Sequence, residues 1–459
     1  MQERNTNYDL RDFFGALGAG GSGIALACRW AWGLAVRAMA SPLSQTPRHP
    51  ARLDGLAPVA VAGRLRHLPD LVFFDSAGNL PRSATRPLSV IAARPQRVLT
   101  GTLAGAADLD RLRRALAAGP RVAGPPGLPF GGLCGWVEYE GAFGFGNYQE
   151  MLVYDHLDAR WWEVGRLSES LAPAQEPPPA TLGAFAPQTT RQAFVAGVAR
   201  IKEWIAAGDI YQVNLTQAFT AAVAGGSLFG LYEVLRQASP APMAAWLALA
   251  DREILSSSPE TFLRISGRQI QTHPIKGTRP RFADPVADRR SARELQASPK
   301  EAAELVMITD LLRNDLGRVC EFGSVAVVAL LQLETLAQVH HLVSTVTGTL
   351  RAECDAVAAL AACFPGGSIT GAPKLRAMEI IRELEPVPRG VYCGAIGWLG
   401  FNGECSFNIP IRTLVRSGGG ASYHVGAGIV ADSDPLKEYE ETLHKAAGIR
   451  LAIARWQRP

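Results

Sequence analysis

The chain has 459 residues, 47% of them apolar and 19% charged. That is longer than one ordinary domain and too apolar to stay disordered. Forty-six Lys and Arg against 42 Asp and Glu leave a net charge of +4, spread without a basic block or arm, which argues against nucleic acid as a partner. The seven cysteines (28, 134, 320, 354, 363, 393 and 405) show no CxxC spacing. A zinc knuckle and a disulfide framework are therefore disfavoured, and a reducing, cytoplasmic compartment is expected.

Residues 13–28 form an uncharged run shorter than the ~20 residues a bilayer span requires, and Arg29 and Arg37 follow it. Glu3, Asp9 and Asp12 offset Arg4 and Arg11, so the basic start of a signal peptide is missing. Residues 1–45 read as an extension of unknown role, with no membrane association expected. In the next stretch, 46–171, residues 71–74, 88–92 and 133–139 read as short strands bounded by Gly, Pro and Asn. Pro173, Pro177, Pro178, Pro179 and Pro187 crowd 172–190, which reads as a linker.

From 191 to 455 the signals strengthen. Phe194, Val198, Ile201, Trp204 and Ile205 recur at helical spacing and Gly208 ends the run. Strands are expected at 245–249, 262–265 and 269–273. Ser298-Pro299-Lys300-Glu301 is a helix start, with Ser as N-cap, Pro in the first turn and Glu three residues on. That helix should run to about Asn314. Alternating Phe407, Ile409, Ile411 and Val415, then Ser417-Gly418-Gly419-Gly420, predict a hairpin with 423–430, and a last helix opens after Asp434-Pro435. Strands and helices mixed without a βαβ repeat indicate an α+β fold.

Three constellations could carry chemistry. Glu301 and Glu304 share one helix face, as do Glu438 and Glu441 on the last helix. Brought together, they would make an oxygen site suited to Mg²⁺; a helix cap and a surface pair of Glu441 with Lys445 explain them equally. Gly366-Gly367-Ser368-Ile369-Thr370-Gly371-Ala372-Pro373-Lys374 runs into a helix over 374–384. It lacks the Lys-Ser/Thr of a nucleotide P-loop, which leaves a carboxylate site, with Ser368 and Thr370 as contacts, or a structural turn. Lys276, in His273-Pro274-Ile275-Lys276-Gly277-Thr278, is an exposed cation or a desolvated nucleophile. Arg412, in the first hairpin strand, is solvated or aimed at a carboxylate, and His341 reads first as a satisfied, partly buried histidine.

Taken in order, these segments resemble a known family. They are Gly208-Asp209-Ile210-Tyr211-Gln212-Val213-Asn214-Leu215, Ser257-Ser258-Pro259-Glu260, Pro274-Ile275-Lys276-Gly277-Thr278 and Ala303-Glu304-Leu305. Asp310-Leu311-Leu312-Arg313-Asn314-Asp315, Val339-His340-His341-Leu342, the loop 366–374, Ile411-Arg412-Thr413, Gly426-Ala427-Gly428 and Glu438-Tyr439-Glu440-Glu441 complete the set. From about 190 to 450 the chain resembles the chorismate-utilising enzymes, which include anthranilate, isochorismate, salicylate and aminodeoxychorismate synthases. Lys276 is similar to the lysine of the aminodeoxychorismate branch, where anthranilate synthases typically carry alanine.

The resemblance implies two packed β-sheets flanked by helices. It assigns Glu304 and Glu441 to Mg²⁺, supported by Glu301 and Glu438 through waters. Tyr392 and Arg412 would hold the enolpyruvyl carboxylate of chorismate, with the backbone of Gly426, Ala427 and Gly428 near a carboxylate. Glu260 would be the general acid, Lys276 the nucleophile, and His341 would lie beside the ring. The implied reaction is amination of chorismate at C4, in p-aminobenzoate and folate biosynthesis. No Gly-x-Cys-x-Gly elbow is present, so ammonia would come from a separate glutaminase subunit. Anthranilate or isochorismate synthesis is the alternative, and a non-catalytic chorismate-binding paralogue the alternative from another class.

Overall fold

The strand and helix signals assemble into two antiparallel sheets. The structure, a computed structural model, describes residues 46–76, 86–174, 179–336 and 338–458; the extension read for residues 1–45 lies outside the described residues. In chain order the first elements are α1 (Pro58–Leu65), β1 (Val72–Asp75), β2 (Leu88–Ala92), β3 (Val98–Thr102), α2 (Ala106–Ala118), β4 (Gly132–Val137), β5 (Ala142–Tyr148), β6 (Met151–Asp155) and β7 (Arg160–Val164). Next come β8 (Ala180–Leu182), β9 (Ala186–Pro187), α3 (Arg191–Ala207), β10 (Gln212–Gly225), α4 (Phe229–Ala238), β11 (Met243–Leu249), β12 (Arg252–Ser258), β13 (Thr261–Ser266), β14 (Gln269–His273) and β15 (Ile275–Pro280). The chain continues through α5 (Pro285–Gln296), α6 (Pro299–Gly317), β16 (Ala326–Thr335), β17 (Val339–Thr349), α7 (Ala356–Cys363), β18 (Gly371–Ala372) and α8 (Lys374–Leu384). It closes with β19 (Ala395–Gly400), β20 (Cys405–Asn408), β21 (Thr413–Ser417), β22 (Gly420–Ile429), α9 (Pro435–Lys445) and α10 (Ala447–Trp456).

One sheet has the order β18-β10-β22-β21-β12-β11-β1-β2-β6-β7, with β8 and β9 also on β10. The other runs β15-β17-β14-β13-β20-β19-β4-β5-β3, with β16 on β17. Val90, Ile254, Leu247, Trp136 and Trp398 pack between the sheets, where Phe74 meets Trp398 edge-on with centroids 5.1 Å apart. Helices α1, α4 and α10 cover one sheet through Leu65, Leu235 and Ile449. Leu112 of α2 and Leu360 of α7 pack against Phe143, Phe145 and Phe407 of the other. This is the α+β architecture of two packed, helix-flanked sheets. Residues 46–171 feed both sheets, and the described part of the proline-rich stretch carries β8 and β9, which pair with β10. No helix of the described residues is long and apolar enough to cross a membrane.

Local signals hold where they are strongest. The apolar face of α3 is buried through Phe194, Val198, Ile201 and Trp204, Thr190 caps it, and Gly208 stops it in the left-handed conformation at φ +84. One expectation is corrected. Residues 407–415 are not one strand: β20 belongs to the second sheet and β21 to the first, and the chain crosses between them at 409–412. Pro410 has no N–H for a ladder and Arg412 sits at φ +51, so the apparent alternation runs through a break. The hairpin itself forms between β21 and β22. Helix α5 was not anticipated, although Asp284 and Pro285 form its N-cap and first turn.

Candidate active site

Two helix starts bring the glutamates together. In α6 the Ser298 hydroxyl accepts from the Glu301 N–H at 3.4 Å. The Ser298 N–H is taken by the Leu295 carbonyl at 3.2 Å, so the Glu301 carboxylate is not drawn into a reciprocal cap and lies instead against Gly277. In α9 Asp434 caps the Leu436 and Lys437 N–H groups, both at 3.0 Å, and Ser433 donates to Glu438 at 2.6 Å. Lys300 bridges the two helices, 3.9 Å from Glu304 and 4.0 Å from Glu438. Lys445 pairs with Glu441 at 2.8 Å and donates to the Gly426 carbonyl at 3.0 Å.

Burial raises the Glu304 carboxyl above its ordinary value, and Glu301 and Glu441 add to the rise while Lys276 and Lys300 oppose it. Glu438 is also raised, by burial and by Glu441. Burial pushes Glu441 up too, but Lys445, Lys300 and Lys276 outweigh it and the net direction is down. Among the described residues no three His, Cys, Asp or Glu side chains are gathered tightly enough to share one metal ion. The donor chemistry nevertheless suits a hard cation that takes one or two carboxylates and keeps its waters. Burial of the Glu304 carboxyl, with Glu301 and Glu441 adding to it, is the deficit such a cation would relieve.

Lys276 stands between this carboxylate group and Glu260. It projects from β15 and is half-buried, and its charge acts on Glu260, Glu304 and Glu441 alike. Glu260 is buried at the β12–β13 junction, where Ser368 donates to it at 2.5 Å. Burial pushes its carboxyl up to about 7, against the opposing pull of Ser368, Lys276 and the Ile275 N–H. Gly277, at φ +73, makes the bulge that shifts the β15–β17 register between Lys276 and Thr278. Gly428 of β22 faces the lysine: a Cβ there would lie 3.6 Å from Lys276 Nζ and would run into the Gln212 amide.

His341 in β17 is 1% exposed. Its Nδ1 lies 3.0 Å from the Thr278 hydroxyl and 3.3 Å from the Gly277 carbonyl, while Nε2 is buried without a partner. Burial, with Arg412 nearby, pushes its pKa down to about 3. The ring is neutral; with Nδ1–H donated to the carbonyl, Nε2 offers a lone pair. Arg412 lies in the crossing between sheets, half-buried, and burial lowers its pKa. Tyr392 is buried and stacks on His424.

Glu260, Lys276, Glu301, Glu304, Glu438, Glu441, Ser368, Gly426 and Gly428 are thus linked by direct contact or electrostatic reach, and His341 and Arg412 by their own. One expected side-chain contact is turned elsewhere. The Thr370 hydroxyl donates within its own loop, to the Gly366 and Gly367 carbonyls at 3.1 and 3.2 Å. The Ala427 methyl is buried in the hydrophobic core, leaving only its backbone to face the site. The glycine-rich loop is not a cationic cradle, because Lys374 folds back on Asp315 at 2.6 Å. Gln212 was overlooked: it is buried beside Lys276 and its Oε1 has no partner. It stood inside a quoted motif, but only the pairing of β10 with β22 shows its place.

The family model for chorismate binding enzymes matches residues 121–450. The chain is 40% identical over 327 residues to aminodeoxychorismate synthase component 1 of Bacillus subtilis, covering 67% of this chain and 69% of that protein. It is also 40% identical over 344 residues to anthranilate synthase component 1 of Methanothermobacter thermautotrophicus, covering 70% of this chain and 73% of the relative. The solved anthranilate synthase component I of Streptococcus pneumoniae superposes with a TM-score of 0.70 at 29% identity, over 81% of this chain and 93% of that one. By fold, by the matched segment and by these relatives, the chain belongs to the chorismate-binding enzyme family.

Proposed function

We propose that this enzyme aminates chorismate at C4 to give 4-amino-4-deoxychorismate, as component I of an aminodeoxychorismate synthase, with ammonia supplied by a separate glutaminase subunit. The observation that carries the reading is the Lys276 amine, set between the buried acid Glu260 and the paired glutamates of α6 and α9. Glu260, protonated in a substantial share of molecules near neutral pH, donates its proton to the departing 4-hydroxyl, which leaves as water. The Lys276 amine adds at ring C2 as that bond breaks, and the ring double bonds shift. Ammonia then adds at C4, the ring double bonds shift back, the C2–N bond to Lys276 breaks to regenerate the amine, and the new C4 nitrogen returns a proton to the Glu260 carboxylate. Glu304 and Glu441, with Glu301 and Glu438 behind them, would hold Mg²⁺, whose charge binds the ring carboxylate. Arg412, Tyr392 and the Gly426–Gly428 backbone hold the enolpyruvyl carboxylate, and neutral His341 orients the ring with its free Nε2.

The equal identity to an anthranilate synthase component supports amination at C2 as a second reading. Lys276 favours C4. Incubating the purified protein with chorismate, Mg²⁺ and ammonium and separating the products decides between them. 4-Amino-4-deoxychorismate is expected; anthranilate or isochorismate overturns the assignment. Lys276→Ala should lose at least ~100-fold in amination rate, the scale of a removed nucleophile's contribution. Chorismate binding in the presence of Mg²⁺ should survive, and unchanged turnover would rule out the covalent role.

A further inference from the structure

His424 is a buried ring that the mechanism above does not use. It lies on β22 with the period-two spacing that puts it on the same sheet face as Gly426 and Gly428, whereas Tyr423 and Val425 turn into the hydrophobic core. The next two positions on that face carry no side chain, and Thr216, Asn214 and Gln212 of β10 lie against them. It is 6% exposed. The ring face stacks on Tyr392 with centroids 5.3 Å apart and planes 17° from parallel. Burial, with Arg389 nearby, pushes its pKa down to about 4. The ring is therefore neutral at working pH, and its Nε2 is buried without a partner.

A residue that only filled space would not need the near-parallel stack. This contact fixes where the Tyr392 ring lies relative to the β22 glycines. We propose that His424 is a positioning residue that holds the Tyr392 ring in place through their stack and thereby sets how tightly chorismate is bound. This rests on the reading of Tyr392 as a substrate contact.

The test uses the full-length protein and His424→Ala, His424→Phe and His424→Gln variants. Chorismate binding is followed by calorimetry with Mg²⁺ present, and steady-state rates are measured in parallel. Loss of an aromatic stack should weaken chorismate binding about 5- to 10-fold in His424→Ala and raise KM by a similar factor, with kcat within about 2-fold. His424→Phe, which keeps a ring, should recover most of the loss. Unchanged binding in a folded His424→Ala overturns the proposal, as does a fall in kcat alone or a His424→Phe protein as weak as His424→Ala. If His424→Ala does not fold, His424→Gln replaces it, with the same loss expected and unchanged binding again fatal. The binding readout is independent of the product formed. Wild-type protein that binds chorismate but yields anthranilate would sink the C4 assignment and leave this one standing.

Discussion

Glu260 and Glu334 are both buried carboxyls pushed up to about 7, and their surroundings separate them. Glu260 has the Ser368 hydroxyl, the Ile275 N–H and the field of Lys276. Glu334 has burial alone; it pairs across the β16–β17 ladder with His341 and lines a cavity between the sheets with Arg264, His273, Met243 and Trp398. A carboxyl whose folded pKa is raised favours the protonated fold, so its stability contribution is complete below the ordinary value of about 4.3 and is lost as pH rises to about 7. Glu334→Gln should therefore stabilise the protein by about 1–2 kcal/mol at pH 8, allowing for water in the cavity, and by little at pH 4. Thermal melts at the two pH values measure this, and equal shifts at both would refute the account. Lys276, Glu304, His341, Arg412 and Glu441 were legible in the sequence because their segments stand in a familiar order. Gln212, Glu334 and His424 were not, because an unpartnered polar atom exists only after strands have paired and water has been excluded.

At the scale of elements, the bulge at Gly277 determines which way Lys276 and Thr278 point from β15. Its φ of +73 suits glycine, and an added Cβ would meet Leu295 at 2.8 Å and Glu301 at 3.1 Å. Gly277→Ala should cost about 1–2 kcal/mol from the left-handed backbone alone, seen as a lower urea midpoint; an unchanged midpoint would show that the bulge relaxes freely. Caps and stops at Thr190, Gly208, Ser298 and Asp434 were readable because each is a local hydrogen-bond or steric fact within a few residues. The break at 409–412 was not readable. Phe407, Ile409 and Ile411 are buried or half-buried as alternation implies, yet they serve two sheets, and the turn at Arg412 depends on a partner strand far along the chain.

At the scale of the molecule, the early strands are structural members of the catalytic sheets. β1 pairs with β11 and β4 with β19, so residues before the proline-rich stretch close an edge on each sheet. Expressed alone, residues 191–459 would expose those edges and the apolar layer that Phe74, Val90 and Trp136 cover. That fragment should show no cooperative thermal transition by near-UV circular dichroism, whereas the whole chain should melt cooperatively; a sharp melt of the fragment would refute the interdependence.

By itself the sequence determined the class of protein: its apolar content, its balanced charge, the capped helices and an ordered set of segments that resemble one family. Those properties are local or compositional, and short-range chemistry is enough to read them. The tertiary structure decided that Lys276 stands between Glu260 and two glutamate-bearing helices, that Thr370 and Lys374 turn away, and that Gln212 and His424 line the same sheet face. Several of these facts join residues more than a hundred positions apart, such as Glu260 with Ser368 and Gln212 with the β22 strand, and only strand pairing and burial bring such residues within reach of one another.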